Sequence, residues 1–367
     1  MRVVALALCL GAAVAAPAAK PHVLFSLVDD YGHFDAGFSG NPDAPTPSID
    51  ALAAEGVILS RHYVYQFCSP TRSSLMSGRL PIHVNVDNNP TSKLGGVDLR
   101  MATLPEKLRS AGYRSTTVGK WHAGGHLYGQ VPEMRGFDSS RVFLNGNEDH
   151  YTQYFGIKGC QGVDAWLNGS NAYGRNGSYG TYEYVNHVLR AIEFHDPATP
   201  MFIYAAWQNT HTPLEAPAKY VNASWAAQGC KTKGTYLGMV ASLDHAVYNV
   251  TQAMKAKGMW ENTLMIFRCS RCCSSRCAFR CAFRCAFRCA FRCAFRCAFR
   301  CAFRCAFRCF FARAVQPRPM TTTNVNSDRT CRVRVARNNC VILKLRASIP
   351  AAAATAAACS PAPPASS

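Results

Sequence analysis

Cys68-Ser69-Pro70-Thr71-Arg72-Ser73-Ser74-Leu75-Met76-Ser77-Gly78-Arg79 is the stretch on which the reading of this 367-residue chain turns. An aromatic-rich run (Tyr63, Tyr65, Phe67) leads into the cysteine. Pro70 then suits the first turn of a helix, where its missing N–H is no loss. Cys68 is thereby expected near a positive helix end with Arg72 one turn on, a setting that favours anionic ligands.

Upstream, His22–Val28 (HVLFSLV) is a continuous apolar run, as expected of a strand covered on both faces. Asp29 and Asp30 follow it directly. Ligands in open α/β sheets collect beyond the carboxyl ends of strands, and two adjacent carboxylates there suit a hard divalent cation. Thr46 and Pro47 predict a helix start, with Thr46 as N-cap and Gly56 as stop. Val57–Tyr65 reads as a strand leading into Cys68. Downstream, Thr103-Leu-Pro-Glu106 has the form of a capping box. Tyr113–Val118 is a further strand, ending in Gly119-Lys120-Trp121-His122. The Gly-, Asn- and Tyr-rich residues from Tyr128 to Gly180 are expected as long loops over the site. Tyr182–His195 and Lys233–Lys257 read as helices. Met201–Trp207 (MFIYAAW) is another buried strand, followed by Gln208-Asn-Thr-His211-Thr-Pro213, and Trp260–Phe267 begins one more.

Three of these segments together resemble the sulfatase family. Cys68 to Arg79 fills every specified position of C-x-[PS]-[ST]-R-x-x-x-L-x-[ST]-G-R, and Gly112 to His122 is similar to the second signature, G-Y-x-[ST]-x-x-x-G-K-x-H. Gln66-Phe-Cys-Ser-Pro-Thr-Arg, Gly119-Lys-Trp-His and His211-Thr-Pro-Leu look like the arylsulfatase B-type branch. The resemblance implies an α/β fold: a mixed, mostly parallel sheet flanked by helices, of the alkaline phosphatase/sulfatase kind. It also implies hydrolysis of sulfate esters on aryl or sugar substrates. Cys68 would be oxidised by a formylglycine-generating enzyme to formylglycine, whose hydrated aldehyde is the nucleophile. Asp29 and Asp30, with the modified Cys68, would hold one Ca²⁺. Arg72 would position the hydrate, Lys120 and His211 would offset charge on the sulfuryl oxygens or assist the leaving oxygen, and His122 would orient or deprotonate the hydrate.

The resemblance covers residues 20–267 and stops there. Family members continue into a Ser-x-Asp-Asn-Gly-Gly segment whose Asp and Asn complete the metal site. This chain instead runs into eight copies of Cys-Ala-Phe-Arg from Cys277 to Arg308. The expected organisation is a signal peptide over 1–19, an incomplete catalytic domain over 20–267, an unfolded repeat region over 268–316 and a low-complexity tail over 317–367. The sheet is then expected to stop at an open edge after Phe267, with an empty place where the absent Asp-Asn would stand. The repeat fits metal binding, a disulfide mesh, a basic anion-binding arm, membrane-surface adhesion, or a tandem repeat translated in a shifted frame. The last fits best, because the pattern breaks in mid-strand.

Charge follows the same boundary. Up to Phe267 there are 21 Lys+Arg against 20 Asp+Glu; from Arg268 onward there are 19 against 1. The net charge of +19 therefore says nothing about the folded part and argues for no specific nucleic-acid partner. Arg2, the apolar run Val3–Val14 and Ala15, Ala16, Ala18 and Ala19 have the order of a secretory signal peptide. No run is long enough to span a membrane. Sequons at Asn168, Asn176, Asn222 and Asn249 agree with a secreted or lumenal route, secretory or lysosomal. The alternative to an active enzyme is an inactive, truncated relative whose basic Cys/Arg-rich tail binds polyanions.

Overall fold

The structure is a computed structural model that describes residues 20–88, 95–157, 160–270 and 339–346. The leader expected over 1–19 and the Cys-Ala-Phe-Arg repeats lie outside them. Among the described residues the strands are β1 (His22–Val28), β2 (Val57–His62), β3 (Arg114–Lys120), β4 (Ser139–Phe143), β5 (Tyr154–Ile157), β6 (Cys160–Val163), β7 (Trp166–Leu167), β8 (Ser170–Asn171), β9 (Met201–Trp207), β10 (Thr263–Cys269) and β11 (Asn339–Arg346). The helices are α1 (Pro47–Glu55), α2 (Cys68–Ser77), α3 (Leu104–Ser110), α4 (Gly180–Glu193), α5 (Ala223–Ala227) and α6 (Lys231–Ala256). Nine strands form one sheet in the order β2-β11-β10-β1-β9-β3-β4-β7-β8, and β5 and β6 form a separate pair.

The centre of the sheet, β10-β1-β9-β3-β4, is parallel throughout. Strands covered on both faces need apolar side chains on both, and β1 supplies them by alternation. Leu24 and Val28 join one core layer with Ile49 and Leu52 of α1, Val185 and Val188 of α4, and Val240 and Leu243 of α6. Phe25 and Leu27 join the other with Met76 of α2, Phe137, Phe202 and Tyr204. The close approach of β3 to β9 explains Gly119, which sits at φ +82. A Cβ there would stand 2.0 Å from the Ala206 carbonyl oxygen, so only glycine lets the two strands meet just before Lys120.

Three expectations are corrected here. β10 is not an edge: β11 pairs antiparallel with it from Arg268↔Val341 to Thr263↔Arg346, and β2 pairs antiparallel with β11 in turn. Part of the supposed low-complexity tail thus completes the sheet. Residues 128–180 are not only loops, because they contain β4, which runs parallel to β3 in the main sheet. Within this stretch Phe137 packs in the core, and Asp138 accepts from Ser115 N–H at 2.7 Å. Finally, the first turn of α1 is not capped by Thr46. Asp244 of α6 accepts from Ser48 and Ile49 N–H at 3.1 and 2.8 Å, while Thr46 Oγ1 accepts from Gly37 N–H at 2.8 Å. A carboxylate at a helix N-terminus also meets the positive end of the dipole, so this cap ties α1 to α6. In α3, Glu106 does reach back to Thr103 N–H at 2.6 Å, but the Thr103 hydroxyl donates to the Arg135 carbonyl at 2.7 Å.

Candidate active site

Parallel neighbours bring their carboxyl ends to one side of the sheet. There β1 ends in Asp29-Asp30, β3 ends at Lys120, β9 runs into Gln208–His211 and β10 runs into Ser270. The His211 loop is laced to β1 through its backbone. Asp29 N–H donates to Asn209 O at 2.9 Å, Thr210 N–H donates to Asp29 O at 2.6 Å, and the Thr210 hydroxyl donates to Asp30 O at 3.2 Å. Asp30 and His122 both adopt φ in the left-handed region (50 and 44), where side chains other than glycine are uncommon. Such conformations persist where surrounding structure enforces them and concentrate at functional sites.

Cys68 is the first residue of α2, which ends at Gly78 with φ +67. Asn88 Oδ1 accepts from Ser69 N–H at 3.0 Å, and Asn85 donates to Ser69 Oγ at 2.7 Å, so the segment after α2 folds back to hold its first turn. Asp29 is at the middle of the cluster and is fully buried. Lys120 Nζ approaches its Oδ2 at 2.5 Å. Its Oδ1 faces Arg72 Nη2 at 3.4 Å, Cys68 Sγ at 3.5 Å and the Ser270 hydroxyl at 2.6 Å. Arg72 also donates to the Lys120 carbonyl at 2.6 Å. Burial alone would raise the Asp29 carboxyl, but Lys120 and then Arg72 outweigh it and hold it well below the usual carboxylate range. Burial, and after it the Asp29 charge, push the Cys68 thiol up.

His211 Nε2 lies 3.8 Å from Asp30 Oδ2, and His211 Nδ1 lies 2.7 Å from the Thr212 carbonyl. A carbonyl only accepts, so Nδ1 carries the hydrogen and Nε2 faces the carboxylates. Behind it, His150 Nε2 stands 3.3 Å from the His211 carbonyl, with its ring stacked on Tyr179 at 5.4 Å. His122 is buried two residues beyond Lys120 and packs against Gly146, where a Cβ would lie 3.2 Å from its ring. The structure thus gathers Asp29, Cys68, Arg72, Lys120 and His211 within direct reach of one another or of Asp29–Asp30. His122 adjoins them through the β3 end. Ser270, Asn85, Asn88 and His150 were not foreseen. Ser270 lies just past the break in the family pattern, and the others matter only through contacts far along the chain.

Burial pushes His150 down to about 4. A histidine kept neutral in the fold adds stability above its unfolded value of 6.5, and this is lost as pH falls toward 4. That interval corresponds to about 3 kcal/mol. In His150→Gln, unfolding free energy measured between pH 7 and 4 is expected to fall off less steeply than in the parent chain.

Residues 21–268 match the family model described as Sulfatase. The chain belongs to the sulfatase family. Among the curated sulfatases it resembles, it is 38% identical over 253 residues to arylsulfatase J of Mus musculus, covering 68% of this chain and 42% of that one. It is 30% identical over 293 residues to arylsulfatase A of Homo sapiens, covering 71% of this chain and 53% of the relative. The crystal structure of Ps i-CgsB superposes with a TM-score of 0.62 at 30% identity, covering 68% of this chain and 58% of that one. The chain therefore spans about two fifths to a half of the length of these curated sulfatases.

A sulfatase implies formylglycine and a divalent metal. The position of Cys68, at a helix start beside Arg72, fits the modified residue. The metal fits less well. Asp29 and Asp30 supply one side of an ion, but the place expected to be empty beyond β10 is taken by Ser270, whose hydroxyl donates to Asp29. Among the described residues the one cluster able to hold a metal is Asp29, Cys68 and His211, a mixture of oxygen, sulfur and nitrogen. Ca²⁺ takes six to eight oxygens, a set these side chains do not provide.

Proposed function

We propose that this chain hydrolyses sulfate esters at the Cys68 centre, on an aryl sulfate or a sulfated sugar. The observation that carries the reading is the placement of Cys68, at the start of α2, against Asp29 and the two buried cations Arg72 and Lys120. A sulfate ester brings negative charge on its sulfuryl oxygens, and more gathers on the leaving oxygen as the S–O bond breaks. Fixed cations in a water-poor site stabilise that charge without reorganising. Lys120 and Arg72 are held by Asp29 and suit this task, and His211 can meet the ester from the β9 side. His122, at the end of the β3 segment, is suited to hold or move a proton on the attacking group. Formylglycine at position 68, formed by a formylglycine-generating enzyme, would supply a nucleophilic oxygen in place of the thiol.

Sugar substrates are supported by relatives. One is named N-acetylgalactosamine-6-sulfatase (Mus musculus, 28% identical over 278 residues), and Ps i-CgsB was also solved in complex with k-i-k-neocarrahexaose. A secretory or lysosomal location is supported by the sequons, of which Asn168, Asn176 and Asn222 are exposed, and by Cys230, which is disulfide-bonded. No helix among the described residues is long and apolar enough to cross a membrane. The incomplete oxygen set for a hard ion favours the second reading, a chain that folds as a sulfatase without turnover. Release of inorganic sulfate from aryl and sugar sulfates separates the two. Turnover that disappears in Cys68→Ala supports the enzyme, and none from protein shown by mass spectrometry to carry formylglycine supports the inactive form.

A further inference from the structure

β10 carries a full charge into an apolar layer. Its side chains alternate, with Phe267 and Cys269 in the layer of α1, α4 and α6 and Ile266 packed on the α2 side. Arg268 shares the side of Ile266. It stands beside Leu27 in the register, and its guanidinium lies 5.9 Å from the centre of the Phe25 ring. Tyr204 of β9 flanks the same ring at 6.0 Å. Four atoms around this guanidinium that can donate, its own Nε with Tyr204 Oη, Arg72 Nε and His62 Nε2, are shut off from water and meet no acceptor among the described residues. We propose that the chain binds a monovalent anion of the halide class, chloride for example, between Arg268, Tyr204, Arg72 and His62. The site goes beyond sulfate-ester hydrolysis and does not rest on it, because it uses none of Cys68, Lys120 or His211.

The charge balance asks for such an ion. Arg72 and Lys120 share the Asp29 carboxylate, and the Arg72 Nη groups are taken up by Asp29 and the Lys120 carbonyl. Among the described residues no carboxylate pairs with Arg268. The rest of the chain offers a single acidic side chain, Asp328. A buried guanidinium without a counter-charge is strongly destabilising, and so is a buried donor without an acceptor. One anion answers both. Burial pushes Arg268 below its usual value, and burial and then Arg268 push His62 down, the direction expected where positive charge outweighs negative. Chloride accepts from N–H and O–H donors alike. It is one atom in size, close to a water molecule, which suits donors closed off from bulk solvent. Arg268 and His62 are themselves half-buried, so the ion has a way in.

Thermal unfolding of the full chain in mixtures of sodium chloride and sodium gluconate, at constant ionic strength, tests this. The expected result is a midpoint that rises with chloride and saturates as for one site, by roughly 2–4 °C or more between none and excess. Arg268→Met removes the charge and keeps an unbranched side chain. It should abolish the response and should unfold in gluconate at or above the temperature of the parent, because the anion is no longer needed. Tyr204→Phe removes one donor and keeps the ring, so it decides even where Arg268→Met fails to fold. It should raise the chloride concentration of half-effect at least about tenfold. The tail arginines are present in both variants, so a response that comes from them would persist in both. No response in the parent, as when Asp328 serves as the counter-charge, or a response that either folded variant keeps unchanged, would overturn the proposal.

Discussion

Asp29→Ala is expected to lose about 3–5 kcal/mol of folding stability, because it strands two buried cations. The side chains of Asp29, Lys120 and Arg72 are all fully shielded from water. Their mutual attraction offsets the cost of taking charge out of water only while all three are present. Among the described residues, removing the anion leaves Lys120 and Arg72 without the carboxylate that now pairs with both. Ser270 and the Cys68 thiol also lose their acceptor. Pairing the change with Lys120→Met removes one stranded charge, so the double variant should regain part of the loss. Urea unfolding of the parent, both single variants and the double variant gives the cycle. A loss below about 1 kcal/mol in Asp29→Ala would mean that the cluster is not organised around this carboxylate.

The second large effect concerns β11. This strand fills the slot between β2 and β10, and among the described residues β2 has no other partner in the sheet. Its backbone is therefore paired along both edges, with Ile342 opposite Phe267 on one side and Ile58 on the other. Ile342→Pro removes a ladder donor and forces a backbone that a doubly paired strand does not accommodate. Deleting residues 339–367 goes further, baring β10 as an edge and detaching β2. Thermal unfolding should show a midpoint lowered by several degrees or more in Ile342→Pro. The deletion should aggregate, as exposed edges do. Unchanged unfolding in both would show that the segment contributes nothing to the fold.

Much of the central sheet was legible because its determinants are local. MFIYAAW is hydrophobic throughout and HVLFSLV at every position but His22 and Ser26, as strands covered on both faces require. The chemistry-bearing residues could be listed from motifs at the ends of those strands. Their meeting around Asp29 depended on β1, β9 and β3 being adjacent and parallel, which no single segment encodes. β11 was hidden for the opposite reason. Its sequence NCVILKLR is a fair strand, but it lies 70 residues past β10 in a basic region whose composition argued against any fold. Only the vacancy between β2 and β10 gives it a place. The α1 cap misled similarly: Thr46 has the right chemistry, but Asp244, 195 residues from Ile49, brings a full charge to the same N–H groups. His150 carried no signal at all, since its role comes from a backbone carbonyl 61 residues away.

The most direct test of catalysis at Cys68 is the rate of aryl sulfate hydrolysis as a function of the fraction of Cys68 converted to formylglycine. That fraction can be varied by co-expressing different amounts of the converting enzyme and read by mass spectrometry on the same preparations. A rate that rises in proportion to conversion, and is absent at zero conversion and in Cys68→Ala, is the expected result. A rate that ignores conversion, or stays at zero when conversion is complete, would contradict it.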